Sequence, residues 1–550
     1  MVLNVVCPQS HHLPSKPTRV CAAMLRQMLW LLAGPTACTL LASHFFPSTA
    51  WADHAVPKGA TWVTPEAVVV ASGPGCCTQV RVATKATVRA CPAGPMVSQR
   101  QEGPFRKLSG PLGTQIDRLC KAIDALHVRY HDDYPDAAAY VDRLRQIEDR
   151  LLDGTGDDDH RAETELAELR RDALLAHPLL RGQPIVFVVR QQYMPDHHNT
   201  GTMFQPGEIN AGSFRGGGAI KTIDVGRGGK ATTLLELADG VARDLEVHFD
   251  GQTLLFAMRR SAAEPYAIHE MAADGTNRRQ LTHPAGATDI DPCYLPDGRI
   301  VFASTRDGKF CGCNRHIQAN LFVMDANGAN VRQIGRNNLF ESRPSMLSDG
   351  RILYDRWEYV DRHFGPSFGL WTVRPDGTNH ALYFGNNAWA PGAIFDAREI
   401  PGTQQVVAIL SSCHDRPWGA MVVLDRRLAL DGMEAVLHCW PPDRADLAAR
   451  MSNPTDVPDK PSPGHPHEPL IDTFRSMPVK YEDPYPLDEA FFLCSRMTGE
   501  GEQTGIYLVD VFGNELLLHA EAPGCFDPMP LGPRPRPPLL PESQAPTNHA

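Results

Sequence analysis

The sequence contains no C-x-x-C-H element, so covalent attachment of a c-type haem has no site in it. It also has no phosphate-cradling glycine loop, no zinc-protease H-E-x-x-H helix and no strand-to-helix nucleophile elbow. The glycine run "RGGGAIK" from Arg215 leads into a strand pattern and reads as a loop. No basic stripe with interleaved aromatics occurs, and the net charge is −11, which argues against nucleic acid as a partner. Long apolar runs are scarce too. One, "MLWLLAGPTACTLLASHFF", lies near the N-terminus and is broken by Gly34 and Pro35; no later segment is long and apolar enough to span a membrane.

That N-terminal run has Arg19 and Arg26 before it and Ala50-Trp51-Ala52 after it, the layout of an export signal. Residues 1–52 are therefore expected to be a signal peptide, with an uncleaved anchor as the alternative. Export places the chain in the periplasm or outside the cell, where disulfides persist. Of 14 cysteines, Cys7, Cys21 and Cys38 fall in the leader. The remaining number is odd, so not all of them can pair within the chain.

Residues 53–110 are rich in Ala, Val, Gly, Pro and Thr and read as a poorly ordered linker. Residues 111–180 carry helical periodicity, with Val141, Leu144, Ile147 and Leu151 on one face and Leu166, Leu169 and Leu174 on another. From residue 184 the period changes. Short apolar strands recur: "IVFVVRQQY", "TLLFAMRR", "RIVFASTR", "RILYDRWE", "QVVAILSSCHDR" and "AFFLCSRM". A turn pair precedes most of them, as at Asp250-Gly251, Asp297-Gly298, Asp349-Gly350 and Pro401-Gly402. A second family follows at Asp274-Gly275, Asn327-Gly328, Asp376-Gly377 and Gly513-Asn514. The repeat is roughly 50 residues of several strands, the signature of a propeller blade. The expected fold is mainly β: a six-bladed β-propeller over 184–530, preceded by a short α-helical segment. An insertion is expected near 441–478, and the proline-rich 531–550 reads as a disordered tail.

In four-stranded blades both turn families fall on one end of the disc. The loops after the recurring strand fall on the other, and these are the long polar ones. They gather His197, His198, Trp357, Glu358, Asp415, Arg416 and Trp418 as a ligand or partner face. They also gather Cys311, Cys313, His316, Cys413 and His414, residue types that suit zinc, copper or iron. A disulfide from Cys311 or Cys313 to Cys413 explains the cysteines equally well, and an Asp415–Arg416 ion pair that orders its loop explains those two residues. One transition metal, a small ligand, a protein partner or a partner cytochrome all remain open.

Several strings, among them "CGCNRHIQANLFVMDANGANVRQIG", "GRILYDRWEYVDR" and "SSCHDRPWGA", resemble exported bacterial proteins grouped with the middle domain of the hydrazine synthase alpha subunit. The resemblance covers about residues 174–535. It implies a six-bladed propeller similar to the TolB type. It carries over no haem ligand, because the haem-binding regions of those proteins have no counterpart here. The expected function is that of an exported binding or scaffold propeller. The alternatives are a metal-dependent redox enzyme and a non-haem subunit of a cytochrome-containing complex.

Overall fold

A computed structural model describes residues 108–154, 159–194, 214–311, 317–358, 368–385, 390–452, 471–499 and 501–543. The expected leader, nearly all of the expected linker, His197, His198, Cys313 and His316 lie outside these residues. None of the described helices is long and apolar enough to cross a membrane.

Three helices come first: α1 (Gly110–Tyr130), α2 (Ala137–Asp153) and α3 (Asp159–Leu175). Pro111 opens α1, where a missing N–H costs nothing. Ile116, Leu119, Ile123 and Leu126 form its buried stripe, spaced three and four apart. The stripe packs with Leu144, Leu166 and Leu169 and onto strand residues Phe491, Leu493, Ile506 and Leu508. Tyr130 reinforces the contact by donating its hydroxyl to Asp488 at 2.7 Å.

The strands follow in chain order. β1 (Ile185–Val189), β2 (Gly218–Ile223) and β3 (Thr232–Leu237) form a first antiparallel group. β4 (Val241–Val247), β5 (Thr253–Arg259), β6 (Ala267–Ala272) and β7 (Arg279–Gln280) form the second sheet. β8 (Asp289–Tyr294), β9 (Ile300–Phe310), β10 (Ile317–Met324) and β11 (Arg332–Gln333) form the third. β12 (Glu341–Met346), β13 (Ile352–Trp357), β14 (Phe368–Val373) and β15 (Ala381–Phe384) form the fourth.

The next strands are β16 (Ala393–Glu399), β17 (Val406–Ser411), β18 (Gly419–Leu424), β19 (Val436–Trp440), β20 (Tyr481–Pro486), β21 (Phe491–Met497), β22 (Thr504–Asp510) and β23 (Glu515–His519). β24 (Cys525–Pro530) pairs back onto β1 and completes the first sheet.

The expectation of six separate blades is corrected here. Among the described residues there are four separate four-stranded sheets, and β16 to β23 form one larger sheet. The single residue pair Gly419↔Tyr481 joins its two halves into one hydrogen-bonded unit. The innermost strands β24, β4, β8, β12, β16 and β20 neighbour one another in a closed cycle. The insertion region holds a short helix, α4 (Arg444–Met451), and a 3-10 turn at Thr473–Ser476; residues 453–470 lie outside the described set.

The turn pairs work through side chains as well as glycine. Asp297 accepts the N–H of Arg299 at 3.0 Å, and Asp349 that of Arg351 at 3.0 Å. Asn327 accepts that of Ala329 at 3.0 Å. Gly328 has φ 85°, and a Cβ there would lie 2.0 Å from the Leu281 carbonyl oxygen, so no other residue fits.

The tail expected to be disordered is ordered over residues 531–543. Its extended, proline-rich backbone offers few donors and docks with those it has. The Leu531 N–H donates to Pro184 at 2.7 Å, that of Arg534 to Phe249 at 2.9 Å, and that of Ser543 to Asp376 at 2.7 Å. The tail thus crosses turn ends of several sheets. The Arg534 guanidinium lies over the Phe249 ring at 4.5 Å and pairs with Glu246, which Arg398 also holds at 3.1 Å. Arg534→Ala is expected to cost about 2 kcal/mol in urea denaturation, since Glu246 is buried and loses one of two cationic partners. A loss below about 0.5 kcal/mol would show the tail to be an idle passenger.

Candidate ligand site in the central cavity

Each innermost strand carries one extra residue relative to its partner, a β-bulge. Beside every bulge sits a residue with left-handed φ: Asp244 (57°), Asp291 (53°), Arg343 (45°), Asp396 (50°), Asp483 (50°) and Asp527 (53°). Aspartate tolerates this conformation better than most residues. Its carboxylate also has a task. Asp527 accepts the N–H of Asp244 at 3.1 Å, Asp244 that of Asp291 at 3.0 Å, and Asp291 that of Arg343 at 3.2 Å. Asp483 accepts the N–H of Asp527 at 3.0 Å. The aspartates therefore link five successive bulges, from Asp483 through Asp527, Asp244 and Asp291 to Arg343.

These residues surround a cavity of about 60 Å³, enough for several waters. Arginines enter it between them. Arg243 clasps Asp244 at 2.7 Å and Asp291 at 3.4 Å. Arg343 reaches Asp396 at 3.4 Å and the fully buried Asp355 at 3.5 Å. Arg190, at the end of β1, is sandwiched between Tyr193 at 4.0 Å and Phe526 at 3.7 Å, both cation–π distances. Seven carboxylates (Asp244, Glu246, Asp291, Asp396, Glu482, Asp483 and Asp527) line the cavity against four guanidinium groups (Arg190, Arg243, Arg343 and Arg398).

Crowding of like charge out of water raises several of the carboxyls. Burial, then the Asp244 charge, pushes Asp291 up to about 7. Burial pushes Asp396 up to about 6. Burial and then Asp483 push Glu482 up to about 8.

Tyr193 and Pro417, from loops after β1 and β17, line the same cavity, so it meets the expected loop face. There the structure gathers Asp415, Arg416 and Trp418. Asp415 binds Lys480 at 2.9 Å and the Trp418 indole N–H at 3.0 Å. Arg416 holds Glu502 through two bonds of 2.6 and 2.9 Å, donates to the Tyr193 carbonyl and lies 4.7 Å over Trp418. The loop is ordered by these partners, Lys480 and Glu502, which sequence spacing did not indicate.

Trp357 is not on an open face: it is buried at the end of β13, with its ring stacked on Phe368 at 6.0 Å. Glu358 pairs with Arg356 at 2.9 Å. Cys311 and Cys413 are both buried. His414 contacts Asp472 through Nδ1 at 2.7 Å, and its backbone N–H donates to the same carboxylate at 2.9 Å.

The hub aspartates were missed in the sequence, though a signal was present. Asp244, Asp291 and Arg343 precede their turn aspartates by a constant interval, and Asp-Pro recurs at 291, 483 and 527.

A cycle of inner strands around a shared cavity, closed by pairing the last strand with the first, defines a β-propeller protein. Among solved structures, the chain is similar to hydrazine synthase from Kuenenia stuttgartiensis, with 16% identity and a TM-score of 0.48 over 66% of this chain. It spans about half (49%) of that protein's length. It is also similar to TolB from Acinetobacter baumannii, with 12% identity and a TM-score of 0.39 over 67% of this chain and 72% of that one. A putative TolB from Agrobacterium tumefaciens gives 10% identity and a TM-score of 0.34, over 61% of this chain and 88% of that one. No protein-family model matches the chain, and no curated protein matches it in sequence.

Proposed function

We propose that this chain is an exported binding propeller whose hub cavity receives a cationic group of a polar ligand or partner. The observation that carries it is the imbalance of seven lining carboxylates over four guanidinium groups. A bound cation offsets the mutual repulsion of carboxylates held out of water. Arg190 adds a donor for an acceptor on the same ligand, since its Nε has no hydrogen-bond partner among the described residues.

The test is a set of thermal melts with calcium chloride, spermidine and argininamide as probes. At least one is expected to raise the melting temperature, and Asp396→Asn to abolish the rise. No response to any of the three, or a response that Asp396→Asn leaves intact, would overturn the cavity as a cation site.

The His414–Asp472 contact favours a second role on the loop face. A carboxylate on Nδ1 orients the ring and fixes its tautomer, as it does for metal-ligating histidines. Cys311, Cys313, His316, Cys413 and His414 then form the proposed metal set. A redox enzyme follows if that metal is present; a non-haem subunit of a cytochrome-containing complex follows instead if a cytochrome co-purifies with the chain. Elemental analysis of protein purified without chelator tests it: a loss of about one transition metal per chain on Cys313→Ser supports the set, and no loss on that substitution refutes it.

A further inference from the structure

We infer that His519, Glu521 and Cys525 form a second, independent transition-metal site, at the connection that closes the propeller. They lie on the short stretch "HAEAPGC" between β23 and β24, and β24 completes the first sheet by pairing with β1. One nitrogen of His519, one carboxylate oxygen of Glu521 and the sulfur of Cys525 all lie within 4.8 Å of one another. The donor set of imidazole, carboxylate and thiolate suits zinc and its neighbours.

The apo geometry is close to what a metal requires. With metal–nitrogen and metal–oxygen bonds near 2.0–2.2 Å and metal–sulfur near 2.3 Å, tetrahedral ligand atoms stand about 3.3–3.6 Å apart. His519 Nε2 and Glu521 Oε1 are already at 3.1 Å. Small rotations of two half-buried side chains bring the remaining edges in. A metal there takes the place of the hydrogen bond between imidazole and carboxylate. Metal binding also replaces the thiol S–H by a metal–sulfur bond, with the proton leaving to water.

The surroundings prepare each ligand differently. Burial opposes the charge on Glu521, but hydrogen bonds from Lys221 and His519 outweigh it and hold the carboxyl below its ordinary range. Lys221 contacts Oε2 at 2.6 Å, which leaves Oε1 turned to His519. The His519 ring is braced against Phe187, with centroids 5.2 Å apart. Cys525 is fully buried, and burial pushes its thiol up to about 12. Such a thiol is a poor nucleophile, so the trio does not read as a catalytic Cys-His-Glu arrangement. A metal is the partner that draws a buried thiol into its anionic form. With three protein ligands, water takes the fourth position.

The site does not depend on the cavity or on the loop-face cysteines. Cobalt(II) is the probe, added to the full chain purified without metal. In the Cys313→Ser background, which removes the proposed loop-face set, a thiolate-to-cobalt charge-transfer band is expected, and it is absent when Cys525→Ser or His519→Gln is added. Zinc affinity, measured by competition with a chromophoric chelator, is expected to fall by more than about 100-fold in His519→Gln, beyond what loss of an outer partner causes. His519→Gln also covers the case in which the buried Cys525→Ser variant fails to fold. No thiolate band, or a band that survives in both variants, would overturn the site.

Discussion

Asp244→Ala is expected to lower the stability of the chain by at least about 3 kcal/mol in chemical denaturation. Three losses coincide. The Asp291 N–H loses its acceptor at 3.0 Å, and a buried donor without a partner costs about 1–3 kcal/mol. Arg243, buried to 2% exposure, loses the carboxylate that clasps it at 2.7 Å, while Asp291 stands farther off at 3.4 Å. Breaking such a pair from one side leaves an uncompensated charge. Alanine also holds the left-handed backbone at φ 57° less readily than aspartate does. Asp244→Asn keeps an acceptor and the backbone preference, so it is expected to cost less than half as much. A destabilisation under about 1 kcal/mol for Asp244→Ala would mean that the hub ring is not a structural link between sheets.

The same ring sets an unusual pH dependence. Unfolded carboxyls are ionised well below pH 6.5. In the folded chain Glu482 titrates near 8 and Asp291 near 7, so the native state holds more protons than the unfolded state between these values. By linkage, stability then falls as pH rises. From pH 6.5 to 8 the expected loss is at least about 2 kcal/mol, with Asp510, which burial raises to about 7, adding to it, and Glu482→Gln is expected to remove about 1–2 kcal/mol of the loss. The groups facing Glu482 are Asp483, Arg190, Gln192 and Asp396. The buried His269 and the half-buried His380 and His438, with pKa values lowered chiefly by desolvation, act in the opposite sense and mostly below pH 6.5. Stability that holds level or rises across this window in the wild type would contradict protonated carboxyls in the hub. A cation that occupies the cavity favours the ionised forms, so its presence is expected to flatten the profile.

Local features were legible because they depend on neighbours in sequence. The helical stripes of α1 to α3, the recurring strands and the Asp-Gly turns each follow from spacing within a few residues. The loop with Asp415, Arg416 and Trp418 was also picked out, because polar residue types concentrate in it. Adjacency in sequence suggests an internal Asp415–Arg416 ion pair as one source of its order, whereas Lys480 and Glu502 supply the partners from 65 and 86 residues away. Trp357 looked like a face residue because it stands beside Glu358 and Arg356. Strand pairing to Phe368 turns its ring into the core instead.

The sequence by itself determined the mainly β repeat, the helical lead-in and the positions of the turns. These depend on hydrophobic period and on which residues adopt positive φ, and both are local properties. Tertiary structure alone decided that six residues from separate strands share one charged cavity, and that the tail is ordered where Arg534 meets Glu246. It also decided that His519, Glu521 and Cys525 converge where the ring closes. Charges far apart in the chain acquire raised pKa values, partners or shared ligands only when folding brings them together and removes the water between them.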